Sequence, residues 1–103
     1  MGTTWSAKFV LPPSVALDAV RRAVEGVLAR VIAEMSTWVA DSDISQFNTA
    51  EPGAWRALPS GLHEVLRYAL SVAAATGGCY DPTVGALVDL WGFGPPGPRD
   101  DLP

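Results

Sequence analysis

Apolar residues recur along this chain with more than one spacing. Between residues 3 and 11 they alternate, with Trp5, Ala7, Phe9 and Leu11 on one side, Thr4, Ser6 and Lys8 on the other, and Val10 out of step. Period two is the signature of a strand buried on one face. Beyond "PPS" the spacing becomes three and four, through Leu17, Val20, Val24, Val27, Leu28, Val31 and Met35, which predicts a long helix with Ser14 as its N-cap. Gly26 inside that helix costs about 1 kcal/mol relative to alanine and points to a close neighbour there. From Ser36 to Ser60 the period lapses into "STWVADSDISQFNTAEPGAWRALPS". That composition predicts an ordered loop, anchored by Trp38, Ile44, Phe47 and Trp55 and holding at most a short helical turn.

A second helical stripe runs through Leu62, Val65, Leu66, Ala69, Leu70 and Ala73, and Gly77 stands where a left-handed cap would end it. Asp81 and Pro82 then read as N-cap and first residue of a further, shorter helix bearing Val84, Leu87, Val88 and Trp91. The tail "PPGPRDDLP" carries no core-forming pattern, and residues 96–103 read as a proline-rich linker or frayed terminus. The elements sum to an α+β fold with one or two strands, two long helices and a shorter C-terminal helix.

Composition narrows the function classes. With 103 residues, 49% of them hydrophobic and 17% charged, the chain fits one domain with ample material for a core. A net charge of −4 and scattered basic residues, of which only Arg21 and Arg22 are adjacent, argue against nucleic acid as a partner. No apolar run is long enough to cross a bilayer, and "MGTTWSAKFV" lacks the layout of a secretory signal, so the chain as given reads as soluble. A single cysteine excludes an internal disulfide and a cysteine-rich metal site, and leaves the compartment open.

The residues with chemistry to offer are few. Asp41 and Asp43 in "DSDIS" form a carboxylate pair by spacing, but that setting suits turn and cap hydrogen bonds. His63 is the only histidine, lies early in a helix, and has no companions for a metal site, so it is expected on the surface. The stretch "GGCYDPTVG" is denser, with two glycines, a thiol, a phenol and a carboxylate between two helices. No base adjoins Cys79 in sequence, which argues against a nucleophilic thiol.

Three blocks, "MGTTW" (1–5), "MSTWVADSDISQFN" (35–48) and "GGCYDPTVGALVDLWGFGP" (77–95), together resemble the N-terminal part of the ApbE family of FAD:protein FMN transferases. They stand in the family's order and cover nearly the whole chain. The resemblance implies an ApbE-like fold of which this chain is an N-terminal fragment, with residues 1–95 as the FAD-binding portion. It also implies an enzyme that takes FAD as substrate, uses Mg2+ to break its pyrophosphate, and joins FMN through a phosphoester to a Thr or Ser of a target flavoprotein. Relatives are longer, and the residues that hold magnesium are expected in their later part. Many relatives are exported lipoproteins. The alternative is a truncated, non-catalytic flavin-binding or structural remnant, and in either case an unpaired sheet or apolar face would favour a homo-oligomer.

Carried over position by position, the family's FAD contacts fall on Met1, Trp38, Cys79, Tyr80 and Asp81. The family has Tyr or Trp where Trp38 stands, and a flat ring there can stack on flavin or adenine. Packing in the core is the competing role for that indole. Met1 would set its thioether against the same rings, although as first residue it bears an amine that longer chains lack. Cys79 replaces a small residue, so its backbone is the expected contact. Asp81 is equally a helix cap, and its charge would repel a phosphate, which assigns it sugar or ring.

Overall fold

The computed structural model describes residues 4–98, and Met1 lies outside them. Among the described residues four helices follow one another: α1 (Leu17–Met35), α2 (Asp43–Asn48), α3 (Ser60–Ala75) and α4 (Gly85–Leu90). The described residues contain no strand, so the expectation of an α+β fold with one or two strands is corrected to a helical one.

The alternating segment shows where that expectation went astray. Trp5, Ala7 and Phe9 do share a side, and they line an open cleft against Leu17, Arg21 and Val24 of α1. Among the described residues, the backbone from Trp5 to Leu11 makes no hydrogen bond to another segment. Alternation reports an extended chain with one apolar side, whereas a strand also needs a neighbouring backbone to pair with, and α1 offers this segment only side chains.

The first helix begins two residues later than Ser14 as its N-cap would require. A turn closed by the Val15 amide on the Pro12 carbonyl (3.0 Å) precedes it, and Ala16 occupies the N-cap with no side-chain bond. On its outer face Asp18 pairs with Arg22, and Arg21 with Glu25 at 3.0 Å, one turn apart. On its inner face Val20, Val24, Leu28, Val31 and Met35 are half-buried, as the spacing predicts, whereas Leu17 and Val27 remain exposed. Gly26 has open space around it, contrary to the close neighbour expected there.

The loop after α1 is tied down by one hydroxyl. Ser42, 1% exposed, donates to the Ser36 carbonyl at 2.6 Å and accepts from the Ser45 amide at 3.2 Å, capping α2 while holding it to the end of α1. Asp43 sits in the first turn of α2, so the cap expected of the Asp41 and Asp43 pair falls to the serine between them.

Helix α1 packs against both α2 and α3. Along α3, Leu62 and Ala69 are buried and Leu66, Val72 and Ala73 half-buried, a single stripe, while Val65 and Leu70 on its two flanks are exposed. At its C-terminus Gly77 and Gly78 take φ of 60° and 86°, and their amides return to the Ala74 and Ala73 carbonyls at 3.3 and 3.0 Å. This is the paired-bond glycine cap that Gly77 predicts. The same motif ends α4, where Gly92 and Phe93 bond back to Asp89 and Val88, both at 3.0 Å. The core is therefore small and sits where the end of α1 meets α2 and the start of α3.

Candidate functional site

Among the described residues two sequence blocks supply candidate site residues, and they are tied to different helices. Trp38 lies in the turn between α1 and α2, inside the loop that the Ser42 hydroxyl closes on Ser36, so its backbone is fixed to the end of α1. Its side chain is 69% exposed, so the described residues leave the ring largely uncovered. His63 is likewise exposed, as expected of it.

The second block grows out of the α3 cap. The Cys79 amide donates to the Thr76 carbonyl at 3.3 Å and the Tyr80 amide to the Thr76 hydroxyl at 3.3 Å, so the corner is anchored to the last turn of the helix. Nothing lies within 4 Å of where a Cβ would stand on Gly77 or Gly78, leaving the backbone of this corner uncovered. The Cys79 thiol is exposed and Tyr80 is partly so.

Asp81 does act as a cap, but of a turn and not of α4 itself, which starts at Gly85 after Val84. Its Oδ1 accepts from the Thr83 amide at 2.8 Å and the Thr83 hydroxyl at 2.7 Å. The amide bond first, and the hydroxyl second, hold the Asp81 carboxyl below its usual pKa. The group is thus ionised at neutral pH with Oδ2 left for another donor, which suits a sugar hydroxyl or a ring N–H and opposes a phosphate.

The structure brings Cys79, Tyr80 and Asp81 together and sets Trp38 apart from them. Trp38 follows the end of α1 that meets the start of α3, whereas the other three follow the far end of α3. From Leu62 to Ala75 that helix rises about 20 Å. A ligand touching both blocks must be long.

The tie that relates the blocks left no mark in the sequence pattern. Oε2 of Glu34, one residue from the end of α1, accepts a hydrogen bond from the Leu62 amide at 3.1 Å. A Cβ on Gly61 would stand 2.5 Å from that oxygen and 3.4 Å from Cε of Met35. Glu34 thus caps α3, whose own N-cap, Pro59, offers no side-chain bond. Twenty-eight positions separate donor and acceptor, and no local periodicity reports such a pair. No cluster of His, Cys, Asp and Glu among the described residues could hold a metal ion, so no chemistry through magnesium is derived for them.

Comparison with known proteins matches the ApbE family over residues 1–103. The chain is 35% identical over 104 residues to an FAD:protein FMN transferase of Vibrio cholerae, covering all of this chain and 31% of that protein. With the FAD:protein FMN transferase of Haemophilus influenzae it shares 35% over 98 residues, covering 92% of this chain and 28% of the relative. Among solved structures, the flavin transferase ApbE from Vibrio cholerae superposes with a TM-score of 0.82 at 33% identity, over 90% of this chain and 30% of that one. The apo form of the Pseudomonas stutzeri flavinyl transferase ApbE gives a TM-score of 0.76 at 32% identity, over 82% and 28%. The chain spans roughly a third of the length of these relatives.

Proposed function

The chain belongs to the ApbE family, and from that premise we propose that residues 1–95 are the FAD-binding portion of an FAD:protein FMN transferase. The observation that carries this reading is the Gly77–Asp81 corner, whose left-handed glycines leave bare backbone beside an ionised carboxylate with one free oxygen. A flat, uncharged part of a nucleotide can lie on such a surface. In this reading the Trp38 indole and the Met1 thioether hold one ring of FAD, the Cys79 backbone and Tyr80 the other end, and Asp81 a sugar or ring donor.

The transfer joins FMN to a Thr or Ser hydroxyl of a target flavoprotein. The hydroxyl oxygen bonds to the FMN phosphorus, its proton leaves, the pyrophosphate P–O bond breaks, and AMP departs. In this reading magnesium would neutralise the charge that builds on the phosphates, with its ligands expected outside the described residues. The second reading is a non-catalytic flavin-binding or structural remnant, which would keep the same Gly77–Asp81 corner without the transfer chemistry. In both, the uncovered apolar surface draws further polypeptide, a second copy included.

An FAD titration with and without magnesium tests the proposal. We expect saturable binding that does not require the metal, and no AMP from these 103 residues alone. Absence of binding sinks the flavin reading. Magnesium-dependent AMP release would place the metal site within this chain after all.

A further inference from the structure

We propose that Glu34 and Gly61 form a latch that fixes the angle between α1 and α3, making Glu34 the positioning residue that sets the spacing between Trp38 and the Cys79–Asp81 corner. Its bearing on FAD rests on the function proposed above, whereas its geometry does not.

The two halves of the site are each rigid but separately mounted. Trp38 travels with α1 through the Ser36–Ser42 closure, and Cys79 and Tyr80 travel with α3 through Thr76. What relates them is the junction of α1 and α3, and among the described residues the one side-chain hydrogen bond across it is Glu34 Oε2 to the Leu62 amide. That bond lands on the third residue of α3, where the amide has no partner within the helix. A carboxylate there also meets the positive end of the helix dipole. The bonded residue is the most buried apolar one described, Leu62 at 2% exposure, so the polar tie and the apolar seat coincide.

Gly61 makes the approach feasible, since any β-carbon would meet the carboxylate at 2.5 Å. The obstructed atom is the free end of a flexible side chain. Gly61→Ala should therefore push the carboxylate off the Leu62 amide without dislodging α3. Leverage makes the junction matter: on an arm of about 20 Å, a tilt of about 10° moves the far end by about 3 Å. A ligand bridging both blocks would feel that displacement.

The test uses the 103-residue chain with spin labels on the exposed native Cys79 and on Ala23→Cys, an exposed position of α1. Pulsed electron paramagnetic resonance then reads the distance distribution between them. Glu34→Ala and Gly61→Ala should each broaden the distribution or shift its mean by about 3 Å, the leverage just given. Glu34→Gln, whose amide oxygen still accepts the Leu62 hydrogen, should restore it. On unlabelled protein the first two variants should raise the FAD dissociation constant about tenfold, and the third should stay near the starting value. Should Glu34→Ala lose its helical circular dichroism, Gly61→Ala alone decides, because it leaves every apolar contact in place.

Unchanged distances in both disruptive variants overturn the latch. Changed distances with unchanged FAD affinity overturn the positioning role. A starting chain that binds no FAD defeats the function proposed above while the distances still decide the latch.

Discussion

At Trp38 stacking and packing make opposite demands on the same side chain. A ring that stacks needs only its open face, whereas a ring in the core needs its whole volume filled, and in this chain the Trp38 side chain, 69% exposed, has little packed around it to lose. Trp38→Ala should therefore leave the melting temperature almost unchanged, within about 0.5 kcal/mol of stability. The same variant should weaken FAD binding by roughly 1 to 3 kcal/mol, the scale of one lost base–aromatic stack. Trp38→Tyr keeps a flat ring and should keep the affinity. Calorimetry and FAD titration on the same two variants check this, and a folded Trp38→Ala that binds as before removes the residue from the site. The identity of this residue as a candidate was legible through the block "MSTWVADSDISQFN", but its exposure was not, since an aromatic amid polar loop residues reads equally well as an anchor. Glu34 and Gly61 were illegible for a different reason. A carboxylate on one helix and a glycine 27 positions on signal nothing until the chain folds them together.

Helices were read well from spacing and their ends less well, because a period measures a face and only capping chemistry measures a boundary. Gly77 was legible since few residues tolerate a φ of 60° at the end of a helical stripe. Ser14 misled because the Pro12–Val15 turn intervenes, and Asp81 because it caps a turn four residues ahead of α4. The alternating segment was legible as extended and one-sided. Whether a second strand would lie beside it to pair with its backbone was not written in the period. Two glycines put the distinction between shape and backbone freedom to a direct test. Gly26 lies within α1 with nothing near it, so Gly26→Ala should add up to about 1 kcal/mol of stability through helix propensity alone. Gly77 is as open but left-handed, so Gly77→Ala should cost about 1 kcal/mol. Thermal or urea melts of the two variants should move in opposite directions, and a common direction would show that neither space nor φ governs these sites.

Over the whole molecule, the composition promised a core that the described residues do not build. Only Leu62 and Ala69 are buried among their hydrophobic side chains, while Trp5, Phe9, Trp55, Leu87, Trp91 and Phe93 stand exposed. Hydrophobic content reports how much apolar area exists and is silent on whether the same chain covers it. The chain has a radius of gyration of 17.8 Å, where a compact chain of this length would have about 13 Å. Its accessible surface is 8292 Å², against about 5,500 Å² for a compact protein of this mass. The difference matches what permanent interfaces bury, and much of it is apolar, so water will not leave it bare without cost. We therefore expect the isolated 103-residue chain to self-associate, with a sedimentation coefficient that rises with concentration. Its four tryptophans should report the same event, since Trp5, Trp38, Trp55 and Trp91 are all exposed in the single chain and their emission should shift to shorter wavelength as copies cover them. A chain that sediments as a monomer across a hundredfold range with unshifted emission would mean that this surface is tolerated in water, and the apolar faces of α1 and α3 would then need another explanation than a missing cover.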